Sequence, residues 1–404
     1  MASARPLDPV ETHLLFVLLD SNLPTGGFVS SSGLESYAKH GFLSPSPTYG
    51  PSATAPFHLT SNSHHASAAG PSRGPSLGQG GMAKAITRFA EAEVENYATS
   101  TGPFVRDAWE VVDSALRPNG WCSTCRKGKH REVPPMAVSS RLQGNGDDIT
   151  AATEDLVATA LDQIVALDQH HEACLLSHVS RRSSKAQGVA MLTLFSRGLS
   201  RPFDTAALSY PSRPSDATGA EVPNGSTRTT LDIGPDGEDK EPRHTRENMA
   251  REIIDGYKRL VRKGTAPGHL AVCWGAMSAA LGLSQDRAMH LHLFLHARSL
   301  LSSAVRLNLI GPYLSSQLLL HPFQTIIDKP LSSIPHTGTI EWCHCVEPDA
   351  TCTTCGHGSR DGGEDGDDFW AWTKEAQSGA ATTWPLGEVL MARHDLQHSR
   401  IFNS

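Results

Sequence analysis

Apolar residues recur at helical spacing through most of the regular parts of this chain, and nowhere do they alternate as in a strand. Asp8 as N-cap, Pro9 in the first helical position and Glu11 two residues later open a first helix. It ends where Asn22, Leu23, Pro24, Gly26 and Gly27 break the backbone. Ile86, Ala90, Val94 and Tyr97 lie on one face of a second helix. Pro103 is expected to open another, with Phe104, Val111 and Ala115 on one side. Residues 154–199 are rich in Leu and Ala and long enough for two helices. Residues 248–263 form one more, closed by Gly264.

Residues 267–282 carry Ala271, Gly275, Ala276, Ala279 and Ala280. Small side chains let helices approach closely, so this helix is expected at the centre. Ser284 is suited to cap the next one, with Asp286 in its first turn. That helix should run to about Ile310, where Gly311 and Pro312 stop it. A short helix through Leu318 to Leu320 comes next. The fold expected is all-α: a single helical-bundle domain of about eight to ten helices.

Four polar, turn-rich stretches interrupt the pattern: 43–81, 117–150, 201–246 and 330–381. Stretches this long inside a compact domain are functional or disordered. They are read as flexible insertions in one domain spanning 1–404, and they leave somewhat over half of the chain as foldable core. Composition agrees. Apolar residues make up 39% and charged residues 19% of the 404 positions, with 35 Gly and 26 Pro, so a globular core is diluted by polar segments.

The net charge of −7 gives no electrostatic footprint for nucleic acid. The apolar run Leu14 to Leu19 is far shorter than the roughly 20 residues that span a bilayer. It lacks the basic flank of a signal peptide. A cytoplasmic protein is expected, its eight Cys unpaired by disulfides.

Candidate chemistry is sparse. Cys343, Cys345, Cys352 and Cys355 offer four thiolates in the manner of a zinc site, with Cys122 and Cys125 as an alternative partner for Cys352 and Cys355. The first pair is CxC and its bite is tight. The plain alternative is free Cys in a low-complexity loop. His292 and His296, and likewise His394 and His398, stand four apart, as metal ligands can on one helical face. The bland reading, His at polar positions of amphipathic helices, is the stronger. His171-Glu172 starts like HExxH but has Leu175 at the second ligand position, so a metalloprotease is excluded. No GxxxxGK[ST] loop occurs, and no nucleotide is expected to bind. Pro24, Gly26 and Gly27 build a turn that presents Phe28 and its serines. Arg306 sits on a mostly apolar helix, either snorkelling or paired. Arg400 and Phe402 combine the residue types enriched at interface hot spots.

Several motifs in order resemble one family. Ser21 to Glu35 contains Pro-Gly-Gly-Phe and Gly-Leu-Glu. Pro103 to Arg106, Leu167-Asp168 and Arg181 to Gly188 come after it. His269 to Gly282 and Leu300 to Pro312 lead to Ile-Gly-Pro, with Gln317 downstream, and the chain closes on Arg393-His394 and Ser399-Arg400-Ile401-Phe402. Together these resemble UreF, the urease accessory protein. Departures are Val29 where the family often has His, Asp395 for Glu, and Ile401 for Leu.

The resemblance implies a non-enzymatic, all-helical homodimeric scaffold. It would bind the UreD (UreH) accessory protein and the UreG GTPase, and serve nickel delivery to the urease apoprotein. Nickel and GTP would be handled by the partners, with no cofactor of its own and GTP hydrolysis gated by the assembly. By position it implies partner-binding roles for Glu35, Arg306, Gln317, His394, Arg400 and Phe402. Pro24, Gly26, Gly27, Gly33, Gly311 and Pro312 would set turns. The competing readings are a nickel or zinc carrier acting through the Cys343–His357 loop, and a helical hydrolase, for which no paired acid–base geometry is visible.

Overall fold

The computed structural model describes residues 9–20, 30–43, 78–117, 146–200, 240–340 and 379–403. Among them are eleven α-helices and no strand. These are α1 (Pro9–Leu19), α2 (Leu34–Lys39), α3 (Gln79–Leu116), α4 (Gly146–Cys174), α5 (His178–Leu194), α6 (Lys240–Lys263), α7 (Leu270–Ala280), α8 (Gln285–Arg306), α9 (Pro312–Leu320), α10 (Pro322–Leu331) and α11 (Pro385–Ala392). A π turn, Phe195–Leu199, prolongs α5, and a 3₁₀ turn, Arg393–Leu396, prolongs α11. The architecture is all-α. No helix among the described residues is long and apolar enough to cross a membrane.

The bundle is organised on two helices. Every residue of α7 from Ala271 to Ala280 is buried, so it is apolar on all sides and enclosed. It lies against α3, which also packs on α4, α8 and α10. Gly275 makes the approach of α7 to α3 so close that a β-carbon there would lie 2.3 Å from the Val105 carbonyl oxygen. The indoles fix the register: Trp109 Nε1 donates to the Leu283 carbonyl and Trp274 Nε1 to that of Ala288, each at 2.9 Å.

Pro103 does not open a new helix. It lies inside α3, which runs 38 residues without a break. Proline withdraws the N–H that the Thr99 carbonyl would accept. The C-terminal segment supplies one instead, since Ala381 N–H donates to Thr99 O at 3.2 Å. A tertiary contact invisible at short range therefore overrides the proline signal.

Other boundaries also shift. Helix α8 ends at Arg306, and the turn after it is made by Asn308 at φ 56°. Gly311 has an ordinary φ of −82° and open space around it, while Pro312 opens α9. Ser284 does not cap α8 with its side chain. Its hydroxyl and amide both donate to Glu11 Oε1, at 2.7 and 2.8 Å, tying α1 to α8. Residues 146–150 and 240–246, expected in insertions, are helical. Residues 330–340 pack on α3 through buried Ile334 and Thr337, and Ile340 is buried in the core.

Candidate functional site

The site grows from the C-terminal tail. Gly33, at φ 79°, turns the chain into α2, and a β-carbon there would lie 2.9 Å from Met391 Cγ. This turn sets Glu35 beneath the tail. The Glu35 side chain is fully enclosed, and its carboxylate accepts the Ile401 N–H at 2.8 Å and the Phe402 N–H at 3.1 Å. Lys39 Nζ donates to the same carboxylate at 2.8 Å and also to the Ser399 carbonyl. Burial alone would raise the pKa of Glu35, but Lys39 and the two tail amides together hold it below its ordinary value.

His394, buried, places Nε2 at 3.1 Å from the Phe402 carbonyl and donates to it. The Phe402 ring is buried, and the Arg306 guanidinium lies 4.3 Å from its centroid. Asp395 receives two hydrogen bonds from Arg182, at 3.0 and 3.1 Å, and one from Arg400 at 2.7 Å; His178 lies 3.1 Å away. The Arg182 hydrogen bonds hold the Asp395 carboxyl far below the usual range.

Five of the six residues singled out in the sequence thus meet in one place. Glu35, His394 and Phe402 face inward and hold the tail. Arg306 and Arg400 stand at the surface. Gln317, exposed on α9, has no part in the clasp. The tail and the elements before it also expose large apolar side chains: Leu386, Val389, Leu396 and Ile401 are between 44% and 75% accessible.

Behind α11 lies a cavity of about 470 Å³. Its walls carry Glu93, Tyr97, His171, His292, His296 and Glu388 from four helices. His296 stacks on Tyr97, with ring centroids 3.6 Å apart, and its Nε2 lies 3.4 Å from Glu93 Oε1. Both ring nitrogens of His171, Nε2 of His292 and one carboxyl oxygen each of Glu93 and Glu388 find no hydrogen-bond partner among the described residues. Burial pushes His171 well below the ordinary histidine range and His292 down to about 3. Burial likewise raises Glu93 and Glu388. The lining is therefore polar yet held toward its uncharged forms. Ser183, Ser184 and Gln187, from the sequence block that resembles the UreF pattern, line the same space.

Sequence reasoning missed this cavity. His171 drew notice only as a broken HExxH, and Glu93 and Glu388 gave no local signal, since their meeting depends on the path of the chain into α11. His292 and His296 do share a helix face, but one is buried and the other stacked, so they form no exposed pair. His394 is buried and His398 exposed, and they do not converge. Pro24, Gly26, Gly27, Cys122, Cys125, Cys343, Cys345, Cys352 and Cys355 lie outside the described residues. Among the described residues the only three His, Cys, Asp or Glu side chains with ligand atoms within 4.8 Å of one another are Asp107, Glu110 and His336. The cavity therefore offers no assembled metal cage.

Comparison with known proteins gives a consistent answer. The sequence model of the UreF family matches residues 82–322. Urease accessory protein 6 of Cryptococcus neoformans var. grubii is 47% identical over the full length of both chains. An uncharacterized urease accessory protein, UreF-like, of Schizosaccharomyces pombe is 44% identical over 153 residues, covering 38% of this chain and 49% of that one. No solved structure matches the chain significantly.

Proposed function

This chain belongs to the UreF family of urease accessory proteins, and on that premise we propose that it is the scaffold joining the UreD (UreH) protein to the UreG GTPase for nickel insertion into apo-urease. The coarser part is established by family: it is an accessory protein of urease maturation and not an enzyme. In our reading it works as a homodimer in the cytoplasm and gates GTP hydrolysis by UreG. Nickel and GTP stay with the partners.

One observation carries this reading. The polar chemistry of the tail serves posture and not catalysis. Glu35 and His394 grip the backbone of Ile401 and Phe402, while Arg306, Arg400 and Ile401 remain at the surface. Exposed apolar and Arg side chains on a pre-ordered backbone make a docking surface at low entropic cost. Leu386, Val389 and Leu396 extend that surface along α11 and its 3₁₀ turn. Glu35, His394 and Phe402 support it from within.

The test is urease activity in a host lacking this gene, complemented with the intact chain, Arg400→Ala or Ile401→Asp. Both positions are exposed, so the fold should survive. The intact chain should restore activity; the variants should not, and each should lose co-purification with UreD or UreG. Full activity and intact complexes with both variants would remove the tail from the partner surface. Urease fully active in the null strain would remove the maturation role.

A further inference from the structure

Away from the tail, Asp107 and Glu110 sit three residues apart on α3 and so share a face. The segment after α10 crosses that face. Arg106 Nη1 holds it by donating to the Ile334 carbonyl at 2.8 Å. Thr337 holds it too, its N–H and hydroxyl both donating to Asp107 Oδ2, at 2.8 and 2.6 Å. This brings His336 Nδ1 to 2.5 Å from Asp107 Oδ1 and 3.9 Å from Glu110 Oε2.

A loop anchor accounts for Asp107, whose oxygens are all engaged. It does not account for Glu110. Its Oε1 accepts from Gln285 Nε2 at 2.7 Å and faces Arg106 Nε at 3.5 Å. Its Oε2 is enclosed, has no hydrogen-bond partner among the described residues and lies toward His336. The side chain is only 4% exposed, and an enclosed carboxylate oxygen without a partner is costly. The His336 side chain is 28% exposed and gives the cluster an open edge.

We propose that Asp107, Glu110 and His336 form a binding site for a divalent first-row transition metal. One imidazole nitrogen and two carboxylate oxygens suit such a cation, and water can complete the shell on the His336 side. Ligand atoms around a metal with bonds of about 2.1 Å stand about 3.0–3.4 Å apart. Asp107 and His336 are closer than that, so the metal takes the place of the proton they share and the half-exposed ring retreats by about 1 Å or less. The imidazole then ligates through Nδ1 and carries its proton on Nε2, on the open side. Two carboxylates balance the cation, while the Arg106 guanidinium beside Glu110 opposes it and moderates affinity.

The test uses the full-length chain with Co²⁺ or Zn²⁺ alone, comparing it with Glu110→Gln and His336→Gln. Bound metal is counted after equilibrium dialysis, and Co²⁺ spectra report the ligands. Each variant should bind one equivalent fewer than the intact chain. The lost equivalent should carry no thiolate charge-transfer band, which separates it from any Cys site. Metal should raise the melting temperature of the intact chain more than that of Glu110→Gln. Unchanged stoichiometry in either variant overturns the site, as does a thiolate band that disappears with the lost equivalent. Should Glu110→Gln fail to fold, His336→Gln, at the open edge, decides alone.

Discussion

Removing the Glu35 carboxylate should release the tail without unfolding the bundle. The anchor consists of two backbone N–H donors, from Ile401 and Phe402, meeting one enclosed carboxylate. Hydrogen bonds to a charged group are worth about 1.5–3 kcal/mol each. Lys39, a third exposed, adds little once solvent screening is allowed for. Glu35→Ala should therefore weaken docking by about 3–6 kcal/mol. Each 1.4 kcal/mol is a factor of about ten, so the docked-to-free ratio falls by roughly two to four orders of magnitude. What remains is the buried Phe402 ring, worth about 1.5–3 kcal/mol, and the His394 bond to its carbonyl.

The assay is amide hydrogen exchange, read on peptides covering 397–403. Protection of Ile401 and Phe402 should drop at least about a hundredfold, while α3 and α7 keep theirs. Glu35→Gln should fall between, because one amide oxygen still accepts while the NH₂ faces a donor. The depressed pKa of Glu35 adds a signed check. A carboxylate with a lowered folded pKa contributes stability that is full above its ordinary value of 4.5 and fades as pH falls through the folded value. Tail protection in the intact chain should thus decline in acid more steeply than in Glu35→Ala, where only the Asp395 pairs with Arg182 and Arg400 remain to be lost. Equal protection of Phe402 in Glu35→Ala and the intact chain would refute the reasoning.

Two further outcomes test the bundle and the cavity. Gly275→Ala should destabilise by about 1–3 kcal/mol or more in denaturant titration, because the new methyl meets the Val105 carbonyl at 2.3 Å and neither helix backbone yields cheaply; a change under about 0.5 kcal/mol would show that α3 and α7 can slide apart. His292 is neutral when folded down to about pH 3 and ordinary when unfolded, near 6.5, so between these values the unfolded chain holds one proton more and stability rises with pH by about 1.4 kcal/mol per unit on its account. His292→Gln should remove about that much slope, and an unaltered slope would mean the imidazole is already protonated in the cavity.

Local signals in this chain announced helices well because each needs only its own periodicity and caps: Pro9, Gly264 and the small residues of α7 all act where they stand. Long-range repairs were hidden. Nothing near Pro103 shows that Ala381, far along the chain, will supply the donor the proline lacks. Nothing near Ser284 shows that Glu11 will claim its hydroxyl. The tail residues could be picked out by type, yet Glu35 and His394 could not be told from surface residues, since their burial depends on the Gly33 turn and on the path of the chain after α11. The cavity was least legible, because its lining is contributed one or two residues at a time by helices that meet only in the folded bundle.

The C-terminal segment is held to the bundle twice, and the two anchors should have separable effects. At its entry, Asn96 of α3 is buried and its Oδ1 accepts the N–H groups of Thr383 and Trp384, at 2.9 and 3.0 Å. Trp384 then packs edge-on against Phe89, with centroids 5.3 Å apart, and α11 closes the cavity with Glu388 and Met391. At the exit, Glu35 holds only residues beyond His394. Asn96→Ala leaves two N–H groups without their acceptor, at about 1–3 kcal/mol each if they stay buried. The cheaper response is for the segment to lift. Exchange should then rise in α11 as well as in the tail, whereas Glu35→Ala should raise it in the tail alone. If Asn96→Ala leaves α11 as protected as in the intact chain, the packing of Trp384 and Leu390 suffices to hold it, and the cavity is closed by apolar contact and not by the amide anchor.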